Sequence, residues 1–209
     1  MSPRHYLVHD RLAVRFLALV AVAAVVFVVV WGLSYAFLPE GMLRGRTGAA
    51  ALAGSDLAGG SIWLEWLRIL VINLAVTFVL IVPANLLRTR GDYPLGYISV
   101  IAVATVAAVT LGTNSFTLPM STRTPPSVAV FGSSGTYELS AYVLAVTSTV
   151  SIARWRVVRW WDADSTVKLV PHTGRGARRE RDVGIVLSVI LLVAACGWEA
   201  YRVSLEVES

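Results

Sequence analysis

Four polar residues stand inside otherwise apolar stretches of this chain: Asn73 in RILVINLAV, Asn114 beside Ser115, Glu138 in GTYELSAYVLA and Glu199 in VAACGWEAYRVS. A carboxyl group exchanges protons or holds a cation, and a carboxamide both donates and accepts, so these types suit proton handling, ion binding or bonding between helices. An ionisable group within an apolar span is costly and marks a functional or a structural pairing site. The plainer alternative puts Glu138 and Glu199 at helix ends in contact with water, with Glu138 gaining from the N-terminal dipole of its helix. Other chemistry is hard to build. There is no Asp within the spans, no Ser/His or Cys/His pairing and no metal-ligand spacing; His5, His9 and His172 fall in polar segments, and the single cysteine, Cys196, reads as a small packing residue. We therefore assign no catalytic residue, metal or cofactor, and expect a protein that is not an enzyme.

The elements that must carry these residues follow from composition. In 209 residues, 56% are hydrophobic and 15% charged, with a mean hydropathy of +0.68; a soluble domain carries about 25% charge. A bilayer core roughly 30 Å thick is crossed by about 20 apolar residues in helical form. Five runs qualify, without internal repetition: Phe16 to Leu38, Trp66 to Leu87, Tyr97 to Leu118, Thr136 to Ile152 and Val183 to Tyr201. The expected fold class is all-α, a polytopic membrane helical bundle of about five transmembrane helices spanning 16–201, between a cytoplasmic segment 1–15 and an external tail 202–209. The first run exceeds the 7 to 15 residues of a secretory signal core, so we expect it to be retained.

Basic residues set the orientation, because Lys and Arg accumulate in short cytoplasmic segments. The N-terminal segment (Arg4, Arg11, Arg15), the second loop (Arg88, Arg90) and the fourth, 153–182 (Arg154, Arg156, Arg159, Lys168, Arg175, Arg178, Arg179, Arg181), leave only Arg44, Arg46, Arg68, Arg123 and Arg202 for the other side. The N-terminus is then inside, the C-terminus outside, and the protein a multi-pass component of the plasma membrane. On this topology Asn73, Asn114, Glu138 and Glu199 all lie toward the outer face. The sequence pI near 9.8 needs no nucleic acid to explain it, since the charges flank spans and no recognition motif accompanies them.

Just beyond the fourth run, Trp155, Trp160 and Trp161 interleave with Arg154, Arg156 and Arg159. Indole rings suit the headgroup region and guanidinium groups meet anionic lipid, so this cluster reads as a lipid-interface anchor, with docking of a cytoplasmic partner as the alternative. The Gly/Ala-rich loop from Pro39 to Glu65 reads as a flexible connector. In the loop 119–135 the apolar patch Ser127 to Phe131 follows a Pro pair; a re-entrant piece there is the minority reading, as non-helical backbone at membrane depth needs protein or water to satisfy it.

Gly135, Glu138, Ala141 and Ala145 resemble the G-x-x-E-x-x-A-x-x-x-A segment of the stage II sporulation protein M family of integral membrane proteins. RILVINLAV resembles that family's asparagine-bearing second helix, and VAACGWEAYRVS its final helix, which closes on a Glu followed by an aromatic residue. The resemblance runs from Trp66 to Ser204. It departs from the family in having a single Asn at position 73, where relatives often carry a pair, and in the more polar TRGDYPLGY loop. It implies a non-enzymatic scaffold or partner subunit of a cell-envelope assembly, with protein partners and possible self-association. The residues alone leave open a transporter or permease component with a polar site near the outer leaflet. On the physical side, Ala141, Ala145 and Ser148 share one face of the fourth helix and would let a neighbour approach closely.

Overall fold

The computed structural model describes residues 3–44, 61–116, 121–158, 166–170 and 174–208. A short helix α1 (Pro3–Leu7) leads into α2 (Leu12–Phe37), and α3 (Ile62–Ala75) follows. Pro83 has no N–H to give to the helix ladder, and just before it α3 widens into a π-helical stretch, Val76–Ile81, then resumes for one turn, Val82–Ala84. Helix α4 is Leu95–Gly112, α5 is Ser134–Ser148, followed by a 3-10 turn at Val150–Ile152, and α6 is Arg175–Glu208. Among the described residues, four helices are long and apolar enough to cross a membrane: α2, α3 with its continuation to Ala84, α4 and α6.

The expected span Thr136 to Ile152 differs. With 15 residues α5 is about 22 Å long, short of a bilayer core. It is also the most enclosed helix, with an unbroken buried run from Ala141 to Ser148 except for Leu144. It packs against α6 above all, and also against α2 and α4. The segment 202–208 is a helical continuation of α6. Within the segment 1–15, α2 already begins at Leu12; within 153–182 lie two short strands and the first turns of α6.

From α2 onward, successive helices run in opposite directions, so their ends gather at two poles. At one, which we call the basic pole, a small sheet joins β1 (Leu87–Arg88) parallel to β2 (Trp155–Val157), and β2 antiparallel to β3 (Thr166–Lys168). The sheet ties the end of α3 to the end of α5, since Leu86 O accepts from the N–H of both Arg154 and Trp155, at 2.8 and 3.1 Å.

Between lipid-facing helices there is little hydrophobic drive to associate, so contact depends on small residues that let backbones approach. The sequence supplies them at every fourth position. On α4 the buried set includes Gly96, Val100, Ala104, Ala108 and Gly112; a Cβ on Gly112 would lie 2.8 Å from Ser34 Cβ and 2.9 Å from the Trp31 carbonyl of α2. On α6 Gly184 faces Ser148 of α5, and Ser188 Oγ donates to Ala141 O at 2.8 Å. Gly96 is matched to Asn85, whose carboxamide oxygen occupies the space a Cβ would take, while its Nδ2 donates to Val146 O and Thr149 Oγ1. We expect Gly112→Ala to lower stability in detergent by about 1 to 3 kcal/mol through overpacking. Gly135→Ala, with nothing within 4 Å of its Cβ, should be neutral or slightly stabilising, as followed by thermal unfolding.

Candidate functional site

Asn73 stands midway along the Ile62–Ala84 helix, roughly 16 Å from either end at 1.5 Å per residue. Its Nδ2 donates to Glu138 Oε1 at 2.8 Å and approaches Cys196 Sγ at 3.3 Å. On the other edge of the carboxamide, Tyr142 OH donates to Asn73 Oδ1. The Cys196 thiol lies 3.7 Å from Glu138 Oε1, and the Glu199 carboxyl, three residues beyond Cys196 on α6, is close enough to Glu138 for the two to interact electrostatically. An asparagine at mid-length of α3, a carboxyl and a phenol of α5, and a thiol and a carboxyl in the second half of α6 thus gather among three helices.

Each member is placed by local spacing. Glu138 and Tyr142 are four residues apart on α5, and Cys196 and Glu199 three apart on α6, so each pair shares a face. Asn73 sits immediately before the π-helical stretch, and its own carbonyl accepts from Thr77 Oγ1 at 2.7 Å. Glu138 is the fifth residue of α5, past the first turn in which a helix dipole is felt, so the dipole expected from sequence is a weak term. The hydrogen bond to Asn73 sets Glu138 level with the middle of α3, while Glu199 lies three residues before the end of the Arg175–Arg202 candidate span.

Of the four residues singled out by sequence, Asn73, Glu138 and Glu199 come together and Asn114 does not. Asn114, with φ 49°, is buried where α4 ends; its Nδ2 donates to Glu40 Oε1 at 2.7 Å, and its carbonyl accepts from Arg44 at 3.0 Å. Beside it Arg123 donates to Gly112 O at 2.6 Å and to Ser34 O and Leu38 O at 3.1 Å, with its guanidinium 5.0 Å from the Tyr35 ring centre. A cation on free carbonyls at the ends of α2 and α4 is a favourable cap. This gives Arg123 a reason to stand at the pole opposite the other basic residues. From there the chain returns through the 3-10 turn Val128–Gly132 toward Ser134, about one helical turn from the level of Glu138.

Sequence reasoning missed Tyr142 and Cys196, although their helical spacing from Glu138 and Glu199 was available. It also counted Arg15 only as a topogenic charge. Arg15 is 7% exposed at the basic pole, where it donates to Thr147 O at 3.2 Å, His9 O at 2.6 Å and Asp10 O at 2.7 Å, and meets Glu180 at 3.4 Å. In the proposed anchor, Arg154 and Trp155 are exposed on the sheet, while Arg156 is half-buried in an ion pair with Asp92. Arg156 is thus drawn into the fold. Arg159, Trp160 and Trp161 lie outside the described residues.

Chemically, two neighbouring carboxyls repel unless a proton or a cation lies between them, and a low-dielectric interior strengthens that repulsion. Asn73 supplies a fixed donor to one of them. Two open grooves, one by Tyr6, Val14 and Leu17 and the other between α2 and α6, are lined by neither Glu138 nor Glu199. No family model matches the chain, and neither curated proteins nor solved structures include a match.

If Glu138 is an internal tie, Glu138→Gln should stay within about 1 kcal/mol of wild type, the scale of interhelical hydrogen bonds in membranes. Glu138→Leu, which strands Asn73, should lose about 1 to 3 kcal/mol in thermal unfolding in detergent. A Leu variant as stable as wild type would return Glu138 to the role of a water-facing side chain.

Proposed function

We propose that the chain is a non-enzymatic integral membrane scaffold or partner subunit of the plasma membrane, working in a cell-envelope assembly with protein partners and anionic lipid. The observation that carries this reading is that the central carboxyl Glu138 is engaged by Asn73, Cys196 and Glu199 from two neighbouring helices. Polar groups spent in this way hold helices in register. The same pattern recurs at Asn85 and Arg15.

Membership of a stage II sporulation protein M-like family is part of the proposal. Its support is that the three segments carrying the resemblance converge: Asn73, the Glu138 motif and the Cys196–Glu199 segment meet, and Ala141 and Ala145 are fully buried. The proposed topology has five crossings, α5 being a short one completed by the chain that leads into it, with the basic pole in the cytoplasm. The gathering of Arg11, Arg88, Arg154, Arg175 and Arg178 at one pole supports that orientation.

One feature favours a transporter component as second reading. Two neighbouring carboxyls, Glu138 and Glu199, beside a helix interrupted by a π-helical stretch and another of only 15 residues, have the makings of an intramembrane ion site.

Two experiments separate these possibilities. Cysteine placed at Ser127 should react with an impermeant reagent in intact cells, and cysteine at Gly174 only after permeabilisation, with buried Cys196 silent; early labelling at Gly174 would overturn the orientation. In sealed liposomes containing a pH-sensitive dye, the purified protein should give proton flux no greater than empty liposomes. Flux that disappears in Glu138→Gln would replace the scaffold reading with the transporter.

A further inference from the structure

At the basic pole the start of α2, the end of α5 and the start of α6 enclose an open groove of about 680 Å³. Its floor is apolar, formed by Leu12, Phe16, Leu144 and Val183, and its pole-facing edge carries Arg179 beside Gly176. Gly176, Arg179 and Val183 fall at helical spacing on one face of α6, so the charged edge and the apolar floor form one continuous surface along that helix. Gly176 contributes open space, as nothing lies within 4 Å of where its Cβ would be.

Among the described residues the charge at this edge is uncompensated. Arg175, one turn before Arg179 on the same face, is exposed like Arg179, and neither makes an ion pair or side-chain hydrogen bond among the described residues. Arg11 stands exposed at the start of α2. The acid lining the groove, Glu180, is engaged by Arg15 at 3.4 Å, and Asp182 by Arg181 at 2.9 Å. Neither α2 nor α6 has an acid in its first turn, so the positive ends of two long helices add to the arginine field.

We infer that this groove seats one anionic phospholipid, its phosphate held by Arg179 and Arg175 and an acyl chain lying on Phe16, Leu144 and Val183. Charge complementarity selects the occupant. A zwitterionic headgroup would bring a second cation to an edge already rich in arginine, and a free anion would leave the apolar floor unused. The site lies on α6 and α2, apart from the Trp/Arg segment after α5, and holds whether the protein acts as a partner subunit or a transporter. A lipid there would bridge α2 to α6, beside the Arg15–Glu180 contact.

The test is native mass spectrometry of the full chain in detergent, titrated with phosphatidylglycerol or phosphatidylcholine. Wild type should retain one phosphatidylglycerol well above phosphatidylcholine. Each arginine near a charged surface weighs about fivefold, so Arg175→Gln with Arg179→Gln should weaken phosphatidylglycerol binding roughly 25-fold and leave phosphatidylcholine unchanged. Gly176→Trp, which fills open space, should also displace the lipid while keeping the wild-type Tm. Arg90→Gln, an exposed charge outside the groove, should change binding less than twofold. Phosphatidylglycerol binding within twofold of wild type in both groove variants would overturn the assignment. Equal losses in Arg90→Gln would overturn it as well, by showing a diffuse charge effect, as would displacement of the lipid by inorganic phosphate alone.

Discussion

In hydrocarbon, water is not available to satisfy a polar group, so each one must find its partner within the protein, and that constraint organises this molecule. Arg15 is the clearest case. A guanidinium within the first turn of a lipid-facing helix is tolerated because three backbone carbonyls and Glu180 surround it, and those partners belong to the N-terminal segment, α5 and α6. Satisfying one side chain thereby locates three parts of the chain. Asn85 does the same for the end of α3 against α5, and Arg123 for the ends of α2 and α4.

Close packing is the counterpart of that constraint. Because lipid tails are as apolar as leucine, the bundle is held where glycine, alanine and serine recur every fourth residue around a core that includes Leu19, Trp31, Ile81 and Leu192, and many other large hydrophobic residues are turned outward. Leu17, Val25, Val29 and Leu33 of α2 are exposed, whereas Ala23 of the same helix is buried; on α4 Ile98 is exposed and Ala104 and Ala108 are buried. This inverts the pattern of a soluble protein and suits a chain surrounded by acyl chains.

The interior tie at Glu138 and the groove at the basic pole divide the polar residues into two kinds. Asn73, Glu138, Tyr142 and Cys196 face one another across three helices, whereas Arg175 and Arg179 have no ion-pair or side-chain hydrogen-bond partner among the described residues. Groups that are satisfied internally hold the architecture, and groups left over at the rim are those available to a ligand.

Much of this was legible in sequence, because it depends on properties local to the chain. Apolar runs near 20 residues predict spanning helices from length alone, and the four long ones appear at about the expected positions. The distribution of arginine divides the loops, and small residues four apart on the fourth run mark a close-packed face. What lies between helices was not legible. Asn73 and Asn114 look alike in sequence, each a carboxamide within an apolar run, yet one reaches Glu138 and the other Glu40, because depth and facing depend on how far each helix slides and rotates against its neighbours. The shortness of α5 and the use of Arg15, Arg123 and Arg156 as internal ties were hidden for the same reason. A residue's type determines which partners it requires, and only the packing of distant segments decides which partner it meets.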